Sequence, residues 1–272
     1  MMTTRILTAA VLIALVVAAL FFLPRTGWLV LAAIMLAQGA WEWGGLARLG
    51  TGARAAYTMA LVIALLWLAY APDPVSTRWA YTVAAVFWVI VAPWWLWRRP
   101  AFSGPGAPLA AGLVVLVPAF LALVLLRDDG GPLALLALMV SIWISDTAAL
   151  FTGRRFGRHK LAPEVSPGKT WEGVYGALVA VAAYGALTGW AFMRSGLIAP
   201  RASLFWSWIL MLLAIAAAGV VGDLFESQMK RAAGVKDSGK LLPGHGGWLD
   251  RIDAQTAALP VAALIFSAFR AA

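Results

Sequence analysis

No cysteine occurs among the 272 residues, which excludes disulfides, thiolate-held zinc, iron–sulfur clusters and a thiol nucleophile. Histidine is almost as scarce. There are 2, His159 and His245, and neither has a second His or Cys at the spacing a transition-metal site requires. Charge is thin as well: 12% of residues are Asp, Glu, Lys or Arg, against about 25% in soluble domains. With 62% hydrophobic residues and a mean hydropathy of +0.85, a water-soluble globule is excluded. The first apolar run, Ile6 to Leu23, lacks an A-x-A cleavage site followed by polar sequence and reads as a retained helix. No internal repeat, low-complexity segment or soluble domain stands out.

What the chain has instead is a succession of apolar runs, each near the roughly 20 residues that span a bilayer. Breaking them at charge, Gly and Pro clusters predicts spans at 5–23, 27–45, 55–71, 79–97, 108–126, 132–152, 172–193, 204–226 and 254–271. The expected fold is all-α, a polytopic membrane bundle of about nine helices with its polar site at the cytoplasmic side. Fifteen Trp against 5 Tyr suit repeated crossings of the membrane–water interface. Of the 21 Lys and Arg, 15 fall on the N-terminus and the even-to-odd connections that share its side. That side is expected to be cytoplasmic, with the C-terminus outside. The net charge of +9 is accounted for by these loops and anionic lipid rather than by nucleic acid. Short loops and the lack of a transit peptide favour the inner membrane of a bacterium, and a homodimer is the default expectation.

Polar chemistry is confined to the second half. Eight of the 12 acids and both His lie between Asp146 and Asp253, so the chain divides into N-terminal helices, 1–130, and a catalytic region, 131–272, with polar loops at 153–171 and 227–253. The stretch from Gly222 to Asp253 holds Asp223, Glu226, Asp237, Asp250 and Asp253 beside Lys230, Arg231, Lys236, Lys240 and Arg251, with His245 set among Gly244, Gly246 and Gly247. A polybasic lipid anchor needs cations alone. Here glycines allow close backbone approach, cations neutralise phosphate oxygens and carboxylates hold a hard cation such as Mg²⁺, which are the parts of a polyphosphate site. Asp223 is expected near the end of the eighth helix and Asp250 just before the ninth, facing one another across the loop's roots. The plainer reading is that Asp223 and Glu226 pair with Lys230 and Arg231 at a helix end.

A second stretch runs from Trp143 to Gly173. Its Gly168-Lys169-Thr170 is no Walker A motif, since Pro163 stands where that motif needs Gly. A Lys and a hydroxyl on a Pro/Gly-shaped turn before a helix N-terminus still suit phosphate. Asp146, about two turns inside the sixth helix, reads as a buried acid, its plainer role being a partner for Arg154, Arg155 or Lys169. His159 reads as an exposed residue near lipid phosphate, and Glu42 as interfacial.

From Ser227 onward the pattern S-x-M-K-R, K-D, P-G-H-G-G and D-R-I-D resembles the signature of phosphatidate cytidylyltransferases, the CDP-diacylglycerol synthases. The earlier D-T-A-A, G-R-x-x-G-R-H-K-L and S-P-G-K-T-W-E-G also resemble that family. Two positions depart from it: Trp248 replaces a usual aliphatic residue, and Gly168 a frequent Lys. The resemblance implies transfer of a cytidylyl group from CTP to phosphatidate, releasing pyrophosphate. It further implies Mg²⁺ on Asp223 and Asp250, with a second cation as in two-metal sites left open. Catalytic roles are expected for Asp223, Asp250, Asp253, Lys230, Arg231 and His245. Substrate binding is expected from Asp146, Ser166, Lys169, Thr170, Ser227, Lys236, Asp237, Gly246, Gly247 and Arg251. The rivals are a CTP-dependent transferase or kinase acting on another lipid, and a secondary transporter, which would place its acids near the midplane. The D-x₂-D-G-x₂-A-R string of CDP-alcohol phosphatidyltransferases is absent.

Overall fold

The computed structural model describes residues 14–70, 73–100, 104–197, 199, 201–241 and 246–271. A helical stretch over residues 14–22 breaks before Pro24 and leads into α1 (Arg25–Leu46) and α2 (Thr51–Tyr70). Next comes α3 (Pro74–Val86), capped by Asp73, which accepts hydrogen bonds from the backbone N–H of Val75 and Ser76. A π-turn at Phe87–Val91 joins it to α4 (Ala92–Arg98). The remaining elements are α5 (Gly106–Phe156), a hairpin of β1 (Lys160–Ala162) and β2 (Ser166–Thr170), α6 (Trp171–Arg194), α7 (Ala202–Ala233) and α8 (Leu249–Ala271). Seven of these helical segments are long and apolar enough to cross a membrane.

Helix α5 has 51 residues, about 77 Å at 1.5 Å per residue and far more than a bilayer core of about 30 Å. It is broken at Gly131, where φ is 81° and ψ 162°, a conformation that suits only glycine. Pro132 follows, acceptable at a helix's first turn because its missing N–H would have no partner there. One continuous run is therefore two helical segments, divided where the composition predicts. Near the break, Arg127 donates to the carbonyl oxygens of Leu20 and Leu23 and lies 5.2 Å from the Trp28 ring, closing the C-terminal end of the 14–22 helix.

Two predicted loops are shorter than expected. The 153–171 segment contributes its first residues to α5, then forms an antiparallel hairpin with Lys160 opposite Thr170 and Ala162 opposite Ser166. The 227–253 segment gives up seven residues to α7, which ends only where Gly234 adopts φ of 80° and donates its N–H to the carbonyls of Arg231 and Lys230. Ser227, Lys230 and Arg231 are accordingly helical residues, and Asp250 lies in the first turn of α8. The physical reason is that charge does not end a helix whose polar residues pair at i,i+4.

The core lies between α1, the π-turn, α4, α5, α7 and α8. Its aromatic hub is Phe225, 1% exposed, edge-on to Phe87, Trp88 and Trp95 at 5.2–5.7 Å and stacked with Trp43 at 6.4 Å. Such contacts are directional, so they fix the rotation of α7 two residues beyond Asp223. Exposed Trp94, Trp97 and Trp171 mark one end of the bundle, and Trp67, Trp79, Trp190 and Trp206 the other, as membrane-interface belts require.

Candidate active site

The polar residues gather at one end of the bundle, where α1, α4, α5 and α7 finish and α2, α6 and α8 begin. Helices α7 and α8 meet there over small residues. A Cβ on Gly222 would stand 2.7 Å from the carbonyl oxygen of Asp253 and 2.9 Å from the Ala257 Cβ. Only glycine permits this approach, which brings Asp223 beside the first turns of α8. Asp253 lies within electrostatic reach of Asp223, Glu226 and Lys169.

Each of the two foremost carboxylates is held by its own lysine. Asp223 Oδ2 is 2.6 Å from Lys169 Nζ, while its other oxygen accepts a 3.5 Å hydrogen bond from Ser227. Lys169 is aimed by the hairpin: the next residue, Thr170, caps α6 by accepting from the Gly173 N–H at 3.1 Å. Asp250 Oδ1 is 2.5 Å from Lys230 Nζ, which also donates to Glu226 at 3.2 Å. This triad is buried, Lys230 being 8% and Glu226 3% exposed. Of the helix-end pairing of Asp223 and Glu226 with Lys230 and Arg231, only Glu226 with Lys230 is formed, and that lysine also bridges α7 to α8, while Asp223 is held by Lys169 from the hairpin. Arg231 turns away and donates to the Val235 carbonyl.

Asp250 Oδ2 accepts three further bonds, from the Ser238 N–H (3.0 Å), the Gly247 N–H (2.8 Å) and the Ser238 hydroxyl (3.1 Å). That hydroxyl is also 2.7 Å from Glu42 Oε2. Glu42, read from the sequence as interfacial, is instead 3% exposed and accepts from the N–H groups of Trp248 (2.9 Å) and Leu249 (3.0 Å) and from Gln38 (2.9 Å). It lies in α1, so the site reaches across residue 130 into the N-terminal helices. No local pattern marks it, although a lone acid in an apolar helix is a signal by itself.

Other expected residues are dispersed around this centre. Asp146, expected to be buried, sits on an accessible face of α5 within electrostatic reach of Asp223 and Lys169, where its carboxylate keeps contact with solvent instead of losing its hydration. Lys236, Asp237 and Arg251 are exposed, Ser166 and Gly246 half-buried, and Gly247 and Thr170 buried. His245 lies outside the described residues. His159 is paired, its Nδ1 2.6 Å from Glu172 Oε1. Arg99, at the end of α4, forms an ion pair with Glu164 at the hairpin turn. Among the described residues no group of three acids or histidines is arranged to hold a metal by itself.

The profile of the cytidylyltransferase family matches residues 3–269. The chain belongs to that family. It is 40% identical over 285 residues, 98% of each chain, to a phosphatidate cytidylyltransferase of Pseudomonas aeruginosa, and 35% identical over 286 residues, 96% of each, to one of Haemophilus influenzae. A Thermotoga maritima protein of the same name is 42% identical over 140 residues, about half of either chain. In this chain two lysine-held carboxylates, Asp223 with Lys169 and Asp250 with Lys230, stand together at one end of the apolar bundle.

Proposed function

We propose that this chain is a membrane-embedded phosphatidate cytidylyltransferase that converts CTP and phosphatidate into CDP-diacylglycerol and pyrophosphate. The observation that carries this is full-length similarity to proteins of that name, joined to a cluster of Asp, Glu and Lys at one end of a bundle of seven long apolar helices. A phosphate oxygen of phosphatidate attacks the α-phosphorus of CTP in line, and the bond from that phosphorus to the α,β-bridging oxygen breaks, so the β- and γ-phosphates leave as pyrophosphate. Phosphatidate is ionised at neutral pH, so the protein's work is positioning and charge neutralisation rather than proton removal.

The donor set fits a hard cation: it is all oxygen, and Mg²⁺ usually takes one or two carboxylates and completes its shell with water and phosphates. Asp223, with one oxygen only weakly engaged, and Asp250, once Lys230 yields Oδ1, would hold it, and bound Mg²⁺ would neutralise the triphosphate. Lys169 and Lys230, on leaving these carboxylates, carry their charge to phosphate oxygens, and exposed Arg231, Lys236 and Arg251 line the approach. Asp253 and Asp146 flank this centre, within electrostatic reach of Asp223 and Lys169. Gly246, Gly247, Ser166, Ser227 and Asp237 are assigned to the substrates' phosphates and hydroxyls, and His245 is assigned with them on its place in the sequence alone.

Nine passes follow if residues 5–23 cross, α3 and α4 cross as one rod and α5 crosses twice. The polar end then faces the cytoplasm of a bacterial cell, the compartment that supplies CTP. Purified protein given labelled CTP, phosphatidate and Mg²⁺ should release CDP-diacylglycerol and pyrophosphate. EDTA or Asp250→Ala should abolish this, and turnover of Asp223→Ala within a few-fold of wild type would remove the metal assignment.

A further inference from the structure

We infer that Glu42 is a positioning residue for the transfer reaction: from α1 it caps the N-terminus of α8 and, through Ser238, sets the carboxylate of Asp250. The inference rests on the cytidylyltransferase reading for its kinetic consequence, but not for its geometry.

The first N–H groups of a helix lack partners within it, and side chains that cap them are usually a few residues upstream. At α8 the cap comes from a distant helix. Both carboxylate oxygens of Glu42 are used, Oε1 on Trp248 N–H and Oε2 on Leu249 N–H, and the negative charge sits at the positive end of α8. Asp250 is the next residue, so the cap fixes the turn from which it projects. Ser238 ties the two acids together, its hydroxyl lying 2.7 Å from Glu42 and 3.1 Å from Asp250 while its N–H donates to Asp250. One proton serves two acceptors, so a change in how Glu42 is held changes how Asp250 is held. The fit is close enough to exclude side chains: a Cβ on Gly239 or Gly247 would stand 2.5 Å from a Glu42 oxygen. Gln38 anchors Glu42 from one turn back at 2.9 Å. One carboxylate therefore holds both Ser238 and Trp248.

Partners that orient a metal-binding carboxylate typically affect metal affinity or activity 10- to 100-fold when removed. Full-length Glu42→Ala, Glu42→Gln and Ser238→Ala are to be compared with wild type in phosphatidate mixed micelles, measuring kcat, KM for CTP and phosphatidate, and the Mg²⁺ concentration giving half activity. Amide exchange of residues 235–249 is to be read in parallel. We expect Glu42→Ala to lower kcat about 10-fold or more and to raise the Mg²⁺ requirement similarly, with KM for phosphatidate unchanged. Glu42→Gln, which keeps one acceptor, falls between it and wild type. Exchange in 235–249 should accelerate while that of α2 and α6 does not.

A folded Glu42→Ala whose kcat, Mg²⁺ dependence and exchange in 235–249 all stay within twofold of wild type would overturn the inference. If Glu42→Ala does not fold, Ser238→Ala decides, since it leaves the cap bonds intact: a raised Mg²⁺ requirement supports the link to Asp250, and an unchanged one refutes it. Wild type that makes no CDP-diacylglycerol refutes the functional reading alone, and the exchange comparison then tests the cap.

Discussion

Lys230 has two carboxylates within reach and almost no water. Removing one member of a buried ionic group costs roughly 3–5 kcal/mol, because the charge left behind has lost both solvent and partner. Lys230→Met should therefore destabilise the protein by about that amount, whereas adding Glu226→Gln should restore much of the loss without restoring turnover. Chemical denaturation in detergent reads the first effect and CTP consumption the second. Equal stability of Lys230→Met and wild type would show that Glu226 and Asp250 find other partners. Such local pairs were legible in the sequence, since Glu226 and Lys230 are four apart on a helix. Lys230 to Asp250, Lys169 to Asp223 and Glu42 to α8 were not, because no spacing rule relates residues on different helices. The acids themselves stood out only as polar exceptions in apolar sequence.

At the level of elements, the apolar runs located the long apolar helices, and Gly131-Pro132 located the break in α5. Polar segments were harder to place, since charge was read as the end of a helix. The better stop signal was Gly234, whose left-handed conformation closes α7. The hairpin at 160–170 escaped because its second strand reads Ser-Pro-Gly-Lys-Thr, a turn-like composition that is tolerated only where a strand's edge is open. The α7–α8 contact gives a sharp test. Gly222→Ala places a methyl against the Asp253 carbonyl at 2.7 Å, and overpacking of this kind costs about 1–3 kcal/mol. The helices must separate or rotate, so turnover should fall at least 10-fold while the protein remains folded. Gly168→Ala, with nothing within 4 Å of its Cβ, is the matched control and should behave as wild type. Equal activity in the two variants would mean that the α7–α8 spacing does not set the position of Asp223.

The whole molecule is asymmetric along the bundle axis: the lysine-held carboxylates and most of its cations share one end, and the excess of Lys and Arg there is the ground for proposing that this end faces the cytoplasm. The lack of cysteine makes this directly measurable, because any single introduced thiol is the only one in the chain. Gly50, exposed in the turn between α1 and α2 with nothing within 4 Å of its Cβ, lies at the site end. Ser195, exposed after α6, lies at the other. In intact cells whose outer membrane admits small molecules, a membrane-impermeant maleimide should label Ser195→Cys at once and Gly50→Cys only after the inner membrane is opened. Both variants should keep cytidylyltransferase activity, which establishes that the labelled protein is correctly inserted. The reverse labelling pattern would turn the site outward, away from CTP. Labelling of both in intact cells would require an even number of crossings between residues 50 and 195, whereas α2, the α3–α4 rod, the two halves of α5 and α6 make an odd number. The experiment thus tests the orientation and the double passage of α5 together, through the one property that the chain's composition most plainly supplies.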